Sequence, residues 1–168
     1  MKPTKCVILV GHGGIPSDCP AELVSEFKRL ERRGPSPELK AADEKLRLWP
    51  RTARTDPYQA GLEAIAAALQ KQVPEELVLT AYNEFCAPSI EDAVKDAAKR
   101  GALSITLIST MFTRGGLHSE HEIPQIVAAL RLEHPGVELR YAWPFELDGV
   151  AQMLAAELRR AESAPVKS

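Results

Sequence analysis

Two hydrophobic periods alternate along the chain. Residues 5–11 open with the unbroken apolar run Cys6-Val7-Ile8-Leu9-Val10 and stop at Gly11, the pattern of a strand buried on both faces. Over residues 20–33 the spacing turns helical. Pro20 suits a first turn, Leu23, Phe27 and Leu30 form one stripe, and Gly34-Pro35 ends it. A second helix is predicted over 57–72, with Leu62, Ile65, Ala66 and Leu69 inward, and a second strand over 76–82. Ser89, three positions before Asp92, opens a capped helix that runs to Arg100-Gly101. A third strand follows over 103–112, then a helix over 118–133 closed by His134-Pro135-Gly136. A more amphipathic strand is predicted over 137–143 and a last helix over 147–162. Val150, Met153, Leu154 and Leu158 lie along one face of that helix and are expected to pack in the core. Residues 163–168 are expected to fray.

Strands alternating with helices predict an α/β fold. The expected architecture is a single domain over residues 1–162, an open parallel sheet of about four strands with helices on both faces, in flavodoxin-like layering with right-handed crossovers. Residues 35–57 interrupt the pattern. Pro35, Pro37, Pro50 and Pro57 punctuate them around a short amphipathic piece near Leu39 to Leu48, so the segment reads as an irregular insertion or lid.

Composition narrows the function classes. A chain of 168 residues fits one domain, and 45% apolar with 26% charged residues is ordinary for a globular protein. A formal net charge of -2 and an aromatic content of 5% argue against a nucleic-acid surface. No apolar stretch approaches the ~20 residues that span a bilayer, and no signal-peptide pattern opens the chain. The cytoplasm is therefore the expected location, with no membrane partner. Cys6, Cys19 and Cys86 are widely spaced and form no Cys-x-x-Cys pair, so neither a disulfide framework nor a thiolate zinc site is indicated.

The candidate chemistry sits at strand ends. In an open parallel sheet, ligands bind beyond the carboxyl ends of the strands. His12 follows the first strand there, and His118 follows the third after the turn Thr113-Arg114-Gly115-Gly116-Leu117. The chain has four histidines, and neutral imidazole is a good ligand for divalent transition metals. Gly11-His12-Gly13-Gly14 lets backbone approach a ligand closely but matches no phosphate-loop motif. From spacing alone, His12 is either a ligand or a strand cap. His118 shares a helical face with His121 and Glu122, whereas Glu120 and His121 read as solvated first-turn residues. Glu84, beside Asn83, Phe85 and Cys86, is a third ligand, a proton acceptor or a solvated loop residue. Cys86 reads as a small packed side chain, and His134 lies toward the opposite edge of the sheet.

These segments together resemble the small class II chelatases of the CbiX type, which insert a metal into sirohydrochlorin. Leu9-Val10-Gly11-His12-Gly13 resembles that family's opening motif, with Gly14 where the family usually has Ser. Glu84 with Pro88-Ser89-Ile90 is similar to its acidic-residue-then-Pro segment. Thr110-Met111-Phe112, Gly116-Leu117-His118 and Glu122-Ile123-Pro124 resemble its second signature, with Glu122 where Asp is more frequent, and Trp143-Pro144-Phe145 fits the end of its core. The likeness covers residues 4–16 and 76–145. Residues 17–75 are longer than the family's connection, and Gly13 to Pro16 with the helix Glu22 to Leu30 faintly resemble the opening of protoporphyrin ferrochelatases.

The resemblance implies a chelatase of cobalamin- or siroheme-type biosynthesis. His12 and His118 would hold a divalent metal, Co²⁺ first and Ni²⁺ or Fe²⁺ as alternatives, above a carboxylate-rich tetrapyrrole. The metal is then a substrate, and no organic cofactor is expected. Glu84 or an imidazole would accept the pyrrole protons, and activity would fall on acidification through an imidazole pKa. Gly13, Gly14, Gly116 and Arg114 would contact the macrocycle, Arg114 through its carboxylates. Arg51 and Arg54 are further cations near the rim and read as solvated loop residues. Met111, Phe112 and Leu117 would form an apolar wall or pack in the core, and Phe112 reads as core. A homodimer is implied as well. A non-catalytic metal or tetrapyrrole carrier and a metal-free flavodoxin-like binding module are the other two readings.

Overall fold

The computed structural model describes residues 4–164. Four parallel strands, β1 (Lys5–Gly11), β2 (Leu77–Tyr82), β3 (Ser104–Ser109) and β4 (Glu138–Tyr141), form one sheet in the order β2-β1-β3-β4. The helices are α1 (Ala21–Glu31), α2 (Pro37–Arg47), α3 (Pro57–Gln72), α4 (Ile90–Lys99), α5 (Ile123–Glu133) and α6 (Leu147–Ser163). A π-helical turn, His118–Glu122, leads into α5. The expected α/β sheet of four strands is the one observed.

The order of strands dictates which helix covers which face. The chain steps from β1 to β2 in one direction and from β2 through β3 to β4 in the other, and right-handed crossovers then put α3 on one face and α4 and α5 on the opposite one. Alternating side chains follow suit. Cys6, Ile8 and Val10 of β1 join Ile105 and Leu107 of β3 in a core against Val94 of α4 and Val127 of α5. Leu9 of β1 packs on the other side with Leu62 and Ala66 of α3 and with Tyr82. β1 is buried on both faces, which is why its sequence reads as an unbroken apolar run.

Several expectations need correction. β3 ends at Ser109 rather than at 112, because the Met111 N–H turns back to the Ser109 hydroxyl (3.0 Å) and leaves the ladder. β4 spans 138–141 rather than 137–143, because the Trp143 N–H bonds within its own chain to the Tyr141 carbonyl (3.1 Å). The insertion at 35–57 is more regular than its prolines suggest. The Ser36 hydroxyl accepts from the Leu39 N–H and starts α2, whose first residue, Pro37, suits a first turn. Helices α1 and α2 then pack on each other through Phe27, Leu30, Ala42 and Leu46 as a small core of their own. Ile65 points out of α3 at 55% exposure, so the inward face of that helix is narrower than predicted. Helix α6 buries none of its side chains, against the expectation of core packing. Ser163, placed in the tail, closes α6, and residues 165–168 of that tail lie outside the described residues.

Candidate metal centre

Three neighbouring strands, β2, β1 and β3, each lead to one side chain at the same point. Beyond the ends of β1 and β2 the parallel ladder continues for two more hydrogen bonds, from Asn83 N–H to Gly11 O (2.9 Å) and from Glu84 N–H to His12 O (2.8 Å). That extension seats Glu84 beside His12. Gly13 makes it possible. Its φ of +97° suits glycine, and a Cβ there would fall 1.8 Å from the Glu84 carbonyl oxygen. Gly14 is under no such constraint, because the nearest atoms to a Cβ lie at 3.8 Å, which leaves room for the serine common at that position in the resembling family. From α3, the Tyr58 hydroxyl accepts from the His12 N–H (2.8 Å).

His118 enters from the π turn after β3. The Ser119 hydroxyl donates to Met111 O (3.1 Å), and the Tyr141 hydroxyl donates to Ser119 O (3.1 Å), so β3 and β4 both anchor the turn. The two imidazoles meet edge to face with ring centroids 4.8 Å apart. A ligand atom from each of His12, Glu84 and His118 lies within 4.8 Å of the others, a spacing that one metal ion can bridge.

Each ring is held through its Nδ1. In His12, Nδ1–H donates to the Gly13 carbonyl (2.9 Å); His118 Nδ1 lies 2.6 Å from Glu122 Oε2 and 2.9 Å from the Asn83 amide nitrogen, and the carboxylate, which can only accept, assigns the proton to that Nδ1. That tautomer puts the lone pair of each imidazole on Nε2, the nitrogen free to bind a metal. His12 Nε2 lies 3.6 Å from Glu84 Oε2. The Asn83 amide also donates to Glu122 (2.9 Å). Partial burial pushes the Glu122 carboxyl up, but the hydrogen bonds from His118 and Asn83 outweigh it and hold its pKa below the ordinary value. Glu122 thus stands behind His118 as its orienting carboxylate. We expect Glu122→Gln, which keeps the shape and removes the charge, to weaken divalent-metal binding about 10- to 100-fold by calorimetry. Unchanged affinity would remove Glu122 from the site.

Arg51 and Arg47 lock the loops that carry these ligands. The Arg51 side chain is 5% exposed and pairs with Asp56, itself 3% exposed. Arg51 also donates to Gly14 O (2.8 Å), Leu46 O (3.1 Å) and Phe85 O. Arg47 donates to Asn83 O (3.0 Å) and Cys86 O (3.2 Å). Arg51 is therefore a buried strut between the His12 loop, the Glu84 loop and the insertion, and its reading as a solvated rim cation is overturned. Arg54 is exposed, as expected. Phe85, held at a φ of +58°, is wedged between His12 and Phe27 with centroids 6.1 and 5.8 Å away.

The remaining candidates fall around this centre. Arg114 is 73% exposed and lies 3.2 Å from Glu120, so Glu120 is paired rather than merely solvated. Gly115 and Gly116 leave open space above the turn. Phe112 is 40% exposed rather than core, stacked edge-on against Phe145, and Leu117 is 61% exposed. Met111 packs on the core. His121 is exposed and His134 closes α5 at the far edge. Burial pushes the Cys86 thiol up to about 11 and the Cys6 thiol up to about 12, so neither is a thiolate at neutral pH. A groove of about 980 Å³ opens from Glu84 and Glu122 toward the insertion. Glu31, Asp43 and Glu91 add carboxylates along it, against the cations Lys40 and Arg47.

Sequence reasoning missed Arg47, Tyr58 and the role of Asn83, and read Arg51 as a solvated loop residue. Asp56 before Pro57 does carry a readable helix-start signal, and its carboxylate accepts from the Gln59 N–H (2.9 Å). Nothing in the sequence marks Arg51 as its partner.

The CbiX family model matches residues 51–163. That span holds Glu84, His118 and Glu122 and leaves out β1, so the place of His12 rests on the geometry above. A sirohydrochlorin cobaltochelatase from Methanopyrus kandleri is 30% identical over 66 residues, 39% of this chain and 46% of that relative. The match thus spans less than half of the curated relative. Among solved structures, a CbiX protein of Marinobacter aquaeolei VT8 assigned to cobalamin (vitamin B12) biosynthesis superposes with a TM-score of 0.53 at 19% identity, covering 93% of this chain and 98% of that one. SirB of Bacillus subtilis, solved with Fe³⁺, gives 0.50 at 15% identity over 97% of this chain and 49% of that one. Both likenesses concern the fold.

Proposed function

The chain belongs to the CbiX family, and on that premise we propose that it is a chelatase that inserts a divalent metal into a carboxylate-rich tetrapyrrole such as sirohydrochlorin. One observation carries the proposal. One ligand atom each of His12, Glu84 and His118 lies within 4.8 Å of the others, and each imidazole is held at its Nδ1. Three donors from one side suit a metal that must be held and then released. They strip part of its water shell and leave positions open for pyrrole nitrogens.

Insertion also removes two protons from the macrocycle; Glu84, beside His12, accepts one, and an imidazole freed as the metal is handed on accepts the other, both passing on to solvent. The groove beyond Glu84 is bordered by more carboxylates than cations, which attracts a metal ion and repels a polyanionic macrocycle. We assign the macrocycle to the other flank, over Gly13, Gly14 and Gly116, with Arg114 reaching its carboxylates. Co²⁺ is the first candidate, because the Methanopyrus relative carries a cobaltochelatase description, and Ni²⁺ and Fe²⁺ suit the same donors.

The test is an anaerobic insertion assay that pairs sirohydrochlorin and protoporphyrin with Co²⁺, Ni²⁺ and Fe²⁺. We expect sirohydrochlorin to be metallated faster than its uncatalysed rate, and protoporphyrin not. Metal binding without turnover on any macrocycle would make the protein a carrier and overturn the proposal.

A further inference from the structure

The small core between α1 and α2 is built from residues 15–46, with one exception. The exception is Phe85, which follows Glu84 in the loop after β2. The buried ring of Phe27, in α1, meets Phe85 edge to face, with centroids 5.8 Å apart and planes at 78°. Phe85 also lies against the His12 ring, at 6.1 Å and 41°. One aromatic side chain therefore touches the helix pair and His12 and is joined by a peptide bond to Glu84. Two of the three donors of the metal centre are its neighbours.

Phe85 is held where it is from outside. Its φ of +58° lies in the left-handed region, which is costly for a residue with a Cβ and persists only where the surroundings enforce it. The end of α2 and the residues after it do the enforcing. Arg51 donates to the Phe85 carbonyl, and Arg47 donates to the carbonyls of Asn83 (3.0 Å) and Cys86 (3.2 Å). The Arg47 carbonyl in turn accepts from the Ala87 N–H (3.2 Å). Residues 83, 85, 86 and 87 are thus each tied to Arg47 or Arg51. Glu84, in the midst of them, is tied to His12 instead, through its N–H (2.8 Å).

We propose that the helix pair α1–α2 is a positioning element of the metal centre, and that Phe27 and Phe85 carry its packing to His12 and Glu84. The inference rests on the three-donor centre of the chelatase reading. A packed ring cannot shift without moving its neighbours, so the edge-to-face contact with Phe27 fixes where Phe85 stands. Phe85 in turn limits where the His12 ring and the Glu84 carboxylate can go. Phe27, Phe85 and Glu84 also line the same groove, so a ring that loses its neighbour has open space to move into. Without Phe27, Phe85 leaves its left-handed conformation, and Glu84 turns away from the imidazoles with it. Phe27 is a positioning residue, acting on the donors through Phe85.

Calorimetry and visible absorption with Co²⁺ on the full chain make the test, with far-ultraviolet spectra to confirm the fold of each variant. Phe27→Leu keeps an apolar side chain and removes the ring. It should bind Co²⁺ about 10-fold more weakly, the size of effect expected of a group that orients a ligand. The absorption of its bound Co²⁺ should shift toward that of Glu84→Gln. Phe85→Gly separates the ring from the turn, because glycine takes a positive φ without penalty. A residue kept only for its turn would leave metal binding unchanged in that variant, whereas the proposal expects the same loss as in Phe27→Leu. Leu30→Ala opens the same core elsewhere and should keep the wild-type affinity and spectrum. Unchanged binding in Phe27→Leu and Phe85→Gly, or an equal loss in Leu30→Ala, would overturn the inference. A wild type that takes up no Co²⁺ would overturn the metal centre itself, and the inference with it.

Discussion

Replacing His12 or His118 by alanine is expected to abolish metal insertion and to lower divalent-metal affinity by more than about 100-fold, while the protein stays folded. Losing a group that only orients a ligand costs ~10- to 100-fold, and losing the ligand itself costs more. The ring centroids stand 4.8 Å apart and each ring offers its own ligand atom, so neither takes over the other's coordination position. The fold should survive. Each imidazole is partly exposed, and its polar partners, the Gly13 carbonyl, the Glu84 and Glu122 carboxylates and the Asn83 amide, are groups that water can satisfy in its place. His121→Ala is the control, because His121 is exposed and no ligand atom of His121 belongs to the cluster. Calorimetry with Co²⁺ and Ni²⁺, followed by the insertion assay, makes the measurement. Full activity in either His12→Ala or His118→Ala would sink the two-imidazole centre.

Arg51→Met is expected to give the largest loss of stability of any single arginine replacement in the insertion. Breaking a buried ion pair from one side costs about 3–5 kcal/mol, because the other charge stays behind without a partner. Here the group left behind is Asp56, and the carbonyls of Gly14, Leu46 and Phe85 lose a donor at the same time. In a chain of this size such a loss lowers Tm on the order of 10 °C. Arg54→Met, at an exposed position, should stay within about 0.5 kcal/mol of the parent. Urea titrations of the two variants decide the matter. Equal midpoints would show that Arg51 is replaceable. Metal affinity should fall in Arg51→Met even where the protein remains folded, since Arg51 joins the loops that carry His12 and Glu84.

What could be read from the sequence was whatever the sheet itself enforces. β1 announces itself because strands on both sides and helices on both faces leave only apolar positions, and Gly11 closes it because Leu62 and Tyr58 press against its α-carbon. His12 and His118 were legible because strand ends in a parallel sheet are where ligands go. Glu84 was legible as a residue but not in its role, which depends on two backbone hydrogen bonds past the ends of the strands. The insertion was not legible. Its apolar side chains pack on α1 and on Phe85, not on the sheet, so neither period points to their partner. An arginine among prolines reads as solvated, and only three-dimensional proximity to Asp56 and three carbonyls makes Arg51 a buried residue. Helix α6 exposes the same limit from the other side. An apolar stripe says that something will be covered, but not which surface covers it.

The three donors arrive from positions 12, 84 and 118, one from each of three neighbouring strands. No two of them are close in the chain, and the site has no local precursor. A polypeptide emerging from the ribosome carries no metal centre until β3 has joined the sheet and the turn behind it has formed. Metal affinity is therefore a property of the assembled sheet and of no local segment, so it should be lost together with the fold.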